Sequence, residues 1–142
     1  MIKVYTAAKL ATAPEWADIC ANTTDLFFHA RWLKHTRLGT PDDNPADARM
    51  FWLEDEQDVK TADAVLVFGK HDEKLRGALV EAGIAIATGI PVFVVGDHPD
   101  YGTWKYHPCV VRCLSLADAL HKLSLLNSQK FHSHEPSLWD AL

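Results

Sequence analysis

Residues 63–96, DAVLVFGKHDEKLRGALVEAGIAIATGIPVFVVG, decide the fold. Asp63-Ala64-Val65-Leu66-Val67-Phe68-Gly69 is a continuous apolar run rich in valine and ended by glycine, the pattern of a strand buried on both faces. Lys70 to Lys74 follows as a charged loop, Leu75 to Thr88 as an alanine-rich helix, and Pro91 to Val95 as a second wholly apolar strand ending at Gly96. Strand, helix and strand at this spacing imply a right-handed parallel crossover. The stretch from Gly77 to Gly96 is apolar enough to suggest a membrane span, but Glu81 interrupts it and Gly89-Ile90-Pro91 breaks it. Its two halves also differ in periodicity, so it reads as a buried helix followed by a buried strand.

Upstream, Ile2 to Tyr5 is a short apolar strand, and Ala13-Pro14-Glu15 has the early proline of a helix opening. Leu26 to Leu33, rich in Phe and Trp, reads as a second strand, with a continuation of the first helix as the alternative because His29 and Arg31 interrupt the run. Lys34 to Asn44 carries Gly39, Pro41 and Asp42-Asp43, which is turn chemistry without an apolar period, and is expected to be a surface loop. From Pro45 to Thr61, Met50, Phe51, Leu53 and Val59 sit among acids at roughly helical spacing.

Downstream, a polar loop with Trp104, Tyr106 and His107-Pro108 leads into a fifth strand, Cys109 to Leu114, and a helix, Ser115 to Leu125. Ser115 and Asp118 form a capping-box-like start, with Asp where Glu or Gln is usual. Asn127 to Leu142 shows no core-forming period and is expected to be a tail that docks on this or a neighbouring subunit. The whole reads as one α/β domain over residues 1–126, doubly wound, flavodoxin-like or Rossmann-like, with a five-stranded mostly parallel sheet. In such sheets ligands bind beyond the carboxyl ends of the strands, where the strand order reverses. That rule selects Tyr5 to Lys9, including Ala7, then Gly69 to His71, and Gly96 to His98.

A chain of 142 residues fits one domain and can bury a core without staples. A net charge of -5 argues against a nucleic-acid polymer as partner, since backbone binding needs a concentrated basic face. Three cysteines, with no secretory signal, read as reduced thiols, so a cytoplasmic location is expected. None of the eight histidines falls in a HExxH or CxxC…HxxxH arrangement, and a metal site is not expected. GxGxxG and Walker A patterns are absent as well, and no cofactor is implied.

Glu81 is the only charged residue between Arg76 and Asp97. A solvent-facing glutamate on an amphipathic helix is the ordinary reading, but the face Ala78, Ala82, Ala85 and Ile86, read as the outer one, is itself apolar or small. Partial burial would raise the carboxyl's pKa and suit it to nucleophilic or proton-transfer work. Asp55 lies in the acid run Glu54-Asp55-Glu56, which periodicity alone assigns to surface and site equally. Tyr5 could be a core aromatic with its hydroxyl at the rim, Lys9 an exposed lysine or a phosphate partner, and Gly77 either a close-approach point or a packing relief. His98 and His107 flank a loop at the ligand edge, where either could donate a proton.

Three pieces of the chain together resemble the nucleoside 2-deoxyribosyltransferase-like family, which includes deoxynucleoside 5'-monophosphate N-glycosidases. They are Ile2-Lys3-Val4-Tyr5-Thr6-Ala7; Asp55 with Ala62-Asp63-Ala64-Val65; and Gly77-Ala78-Leu79-Val80-Glu81-Ala82-Gly83-Ile84-Ala85 followed by Gly89-Ile90-Pro91-Val92. The last piece follows a family pattern G-x-x-x-E-x-G-x-A and is the most specific. The resemblance spans about Ile2 to Val95. It implies that Glu81 is the nucleophile, that Asp55 contacts the sugar and assists proton transfer, and that Tyr5 helps hold them.

The implied substrate is a small 2'-deoxynucleoside or its 5'-monophosphate, and the implied reaction is attack on C1' with departure of the base, by transfer or hydrolysis. It also implies a homodimer or larger assembly. Where transferases of the family commonly have Asp six residues before the nucleophile and then Ser-Gly, this chain has Leu75-Arg76-Gly77. Arg76 at the helix start suits a phosphate, helped by the helix N-terminus. The expected substrate contacts are thus Ala7, Lys9, Gly69, Leu75, Arg76 and Gly77. Two rival readings are a nucleotide-binding or sensing module without efficient chemistry, and a glycohydrolase acting on NAD or a related nucleotide.

Overall fold

The two apolar runs that flank Glu81 in sequence lie side by side at the centre of the sheet. In the computed structural model, which describes residues 1–34 and 44–132, the strands are β1 (Lys3–Ala7), β2 (Phe27–Phe28), β3 (Ala64–Val67), β4 (Val92–Val95) and β5 (Val110–Cys113). Their order is β2-β1-β3-β4-β5, and every neighbouring pair is parallel. The expectation of a mostly parallel sheet is met by one that is parallel throughout, in the strand order of flavodoxin-like folds. A parallel sheet needs cover on both faces, which is why all four residues of β3 and all four of β4 are buried.

Among the described residues, four helices provide that cover: α1 (Ala13–Asn22), α2 (Pro45–Lys60), α3 (Gly77–Thr88) and α4 (Leu116–His132). From β1 the chain steps outward to β2 through α1, then back across β1 to β3 through α2, and onward to β4 through α3. With right-handed crossovers, that reversal puts α1 on one face and both α2 and α3 on the other. α3 accordingly packs on β1, β3 and β4, and α2 packs on α3.

Local chemistry sets the helix ends. Asn44 Oδ1 accepts from the Ala46 and Asp47 amides at 3.1 and 3.3 Å, with Pro45 in the first turn of α2. Gly89 closes α3 at φ 79°, in the left-handed region where a side chain would be strained. Ser115 Oγ accepts from the Asp118 amide at 3.1 Å, as in a capping box, but the Asp118 carboxylate accepts the Leu114 amide at 2.9 Å, one residue before the cap, so the start of α4 is capping-box-like with its return bond shifted by one.

Three elements differ from the sequence expectation. The second strand is two residues long, and Arg31–Leu33 forms a 3-10 turn. Here the Arg31 amide donates to Asp58 Oδ2 at 2.9 Å and Trp32 Nε1 donates to the Thr6 carbonyl at 2.8 Å, which draws the chain out of the ladder. α3 starts at Gly77 rather than Leu75, because the Leu75 amide donates to the Asp100 carboxylate at 2.7 Å. α4 runs past Leu125 to His132, and Asn127 within it accepts the Ile2 amide at 2.8 Å, tying the helix to the start of β1. The surface loop expected between Lys34 and Asn44 and the last ten residues of the expected tail lie outside the described residues.

Candidate active site

The orientation of α3 sets the site. Ala78, Glu81, Ala82 and Ala85 are its buried residues, an i, i+3, i+4, i+7 stripe that faces the sheet. This corrects the reading of Ala78, Ala82 and Ala85 as the outer face. They share Glu81's side of the helix, while Val80, Gly83 and Ala87 face outward. Glu81 is only 6% exposed, so the apolar surroundings are those of the core itself.

Its Oε1 lies 3.8 Å from the position a Cβ on Gly77 would take, so the carboxyl points back toward the N-terminus of α3. In a parallel crossover that end lies at the carboxyl ends of the strands, the ligand edge of the fold. Oε2 is buried with no hydrogen-bond partner among the described residues. Burial pushes the Glu81 carboxyl well above the ordinary carboxylate range.

α2 brings a second carboxyl to the same side of the sheet. Asp55 is 8% exposed, whereas its neighbours Glu54 and Glu56 are only half-buried. Asp58, one turn on, is also buried but committed to structure: its oxygens accept from the Arg31 amide at 2.9 Å and from Arg31 Nε at 3.0 Å. From β1, Tyr5 contributes a fully buried ring whose hydroxyl has no partner among the described residues. That ring meets His29 edge-on with centroids 6.4 Å apart, and His29 Nε2 is 2.7 Å from the Asp58 carbonyl. Tyr5 therefore lies on the face covered by α2 and α3. Three buried polar groups, from β1, α2 and α3, thus occupy one side of the sheet.

Trp52 belongs with them and is absent from the sequence reading. Its Cη2 and Cζ2 lie 3.4 and 3.5 Å from the position of a Cβ on Gly77, the same point that is 3.8 Å from Glu81 Oε1. Gly77 leaves the indole room beside the carboxyl, and Trp52 stays 38% exposed. The available signal was spacing: Trp52 and Asp55 are three residues apart, hence on one helix face.

The expected substrate contacts divide by environment. Ala7 is buried at the end of β1, and Lys9 is exposed just beyond it. Arg76 is exposed immediately before α3, whose first turn has no capping side chain. Gly69 and Leu75 meet each other, since a Cβ on Gly69 would lie 2.6 Å from Leu75 Cδ2, and Leu75 is buried. His98 is buried with both ring nitrogens engaged by backbone groups, so it is not poised as a proton donor. His107 is exposed, and its Nδ1 accepts the Cys109 amide at 3.0 Å.

No protein-family model and no curated protein matches the chain. Among solved structures it is similar to the Clostridium botulinum CMP N-glycosidase BcmB, with a TM-score of 0.53 and 16% sequence identity. The similarity covers 87% of this chain and 98% of that one. At this identity the likeness establishes a shared single-domain α/β architecture.

Proposed function

We propose that the protein cleaves the N-glycosidic bond of a nucleoside 5'-monophosphate, with Glu81 as the nucleophile. The observation that carries this reading is a buried carboxyl, aimed at the ligand edge, with one oxygen that has no partner among the described residues. Such an arrangement costs stability and calls for a ligand. The CMP N-glycosidase with the same architecture supports this substrate class.

In the first step a Glu81 oxygen bonds to C1' as the C1'–N bond breaks. The electron pair leaves with the base, and Asp55 delivers a proton to it. Water then attacks C1', gives its proton back to Asp55 and frees Glu81. Two displacements by the same carboxylate retain the anomeric configuration. The Tyr5 hydroxyl, which has no partner among the described residues, turns to the nucleophile when substrate binds, Trp52 stacks on the base, and Arg76 with the first turn of α3 receives the phosphate. Leu75-Arg76-Gly77, in place of the acid-bearing sequence common in transferases, favours water over a second base as acceptor.

The test is a chromatographic panel of ribo- and deoxyribonucleosides and their 5'-monophosphates, with and without an acceptor base. The expected result is release of base and pentose 5-phosphate from a monophosphate, abolished by Glu81→Ala in a folded variant. Absence of release across the panel, or unchanged turnover in that variant, refutes the proposal.

A further inference from the structure

His98, in the loop after β4, is a buried titratable group that the proposed chemistry does not use. Its Nε2 is 3.0 Å from the Lys70 carbonyl and 2.8 Å from the Glu73 carbonyl, and its Nδ1 is 2.9 Å from the Asp100 amide. Carbonyls only accept and an amide N–H only donates, so these partners assign a neutral ring with the proton on Nε2 and the lone pair on Nδ1. Asp100, seated by that bond, accepts the Leu75 amide on Oδ2 at 2.7 Å.

The loop from Gly69 to Arg76 is thereby held at residues 70, 73 and 75 from one imidazole. It is also closed on itself, with the Lys70 amide donating to Glu73 Oε1 at 2.8 Å and the Glu73 amide donating to the Lys70 carbonyl at 2.9 Å. Leu75 is its one buried side chain. A stretch this polar has little apolar burial to order it, so its conformation depends on these bonds. The next residues, Arg76 and Gly77, begin the helix that carries Glu81.

We propose that His98 is a positioning residue: through the Lys70 and Glu73 carbonyls and, by way of Asp100, the Leu75 amide, it presets the loop that leads into α3. This arrangement presents Arg76, Gly77 and Glu81 to substrate without an ordering cost on binding. The latch stands on geometry alone, and only its effect on turnover rests on the glycosidase reading.

Three variants of the full chain test it. His98→Phe keeps the ring volume and the contact with Tyr101 but loses both nitrogens, Asp100→Ala cuts the link to Leu75, and His98→Gln restores a donor toward the two carbonyls. In amide hydrogen exchange, Leu75 is expected to exchange about tenfold faster or more in His98→Phe and in Asp100→Ala, with β3 and β4 amides unchanged and partial recovery in His98→Gln. In base release from a nucleoside monophosphate, KM is expected to rise about tenfold while kcat stays within about threefold.

Unchanged Leu75 exchange in both disrupting variants overturns the proposal, as does a fall in kcat at constant KM. Should His98→Phe also lose protection in β3 and β4, Asp100→Ala decides, because its carboxylate is partly exposed and cuts one bond of the latch. If the wild-type protein releases no base, the glycosidase reading fails alone and the exchange of Leu75 still decides the role of His98.

Discussion

Glu81 is held in a state that conflicts with its own ionisation. Its folded pKa lies well above the ordinary 4.5 because burial penalises the charge. The folded chain therefore keeps a proton that the unfolded chain releases between the two values, and stability falls as pH rises through that window. Glu81→Gln mimics the protonated acid permanently. Its urea midpoint should match wild type in acid and exceed it increasingly as pH climbs above about 4.5, the unfolded carboxylate value. Equal midpoints at all pH values would mean that Glu81 is solvated. Activity should run the other way if the carboxylate is the nucleophile, as proposed: the acid limb of kcat/KM is expected above the ordinary carboxylate range. Glu81 was legible as an isolated acid in an apolar helix. The strand-end rule placed Tyr5 at the ligand edge and periodicity left Asp55 open, but the roles of both came only through the family resemblance, because burial of an aromatic or an acid leaves no mark in periodicity.

At the scale of elements, α2 is where the sequence pattern and the packing part. Met50 and Leu53, part of its apolar set, are 64% and 56% exposed, while Asp55 and Asp58 are buried beside Val59. Periodicity cannot anticipate this inversion, because it assigns acids to water unless a partner is known. Arg31, more than twenty residues upstream, is that partner for Asp58. Asp58→Ala should cost about 1.5–3 kcal/mol in urea denaturation, the usual worth of hydrogen bonds to a charged group. A loss near zero would show that the Arg31 contact is solvent-screened. The same inversion hid Trp52. Trp52→Leu should raise the KM for a nucleotide roughly 5–150-fold, as about 1–3 kcal/mol of base stacking implies, with binding of pentose 5-phosphate unchanged. Equal weakening of both ligands would remove the indole from the base subsite.

Across the whole molecule, the fold was the more legible part. Unbroken apolar strands, an alanine-rich helix between them and glycines at their ends have few solutions other than a parallel sheet covered on both sides. The edges were less legible, since β2 and the start of α3 are set by side-chain bonds from Asp58 and Asp100, each distant in sequence. The reversal between β1 and β3 then brings a tyrosine, two acids and an exposed indole to one side of the sheet. This arrangement suits the covalent attack by Glu81 on a sugar carbon proposed above. Acid-quenched wild-type protein, mixed rapidly with its nucleotide substrate and digested, is expected to carry a pentosyl phosphate on Glu81 by tandem mass spectrometry, and Glu81→Gln to carry none. Rapid turnover with an unmodified Glu81 at every quench time, together with undiminished activity in Glu81→Gln, would contradict it.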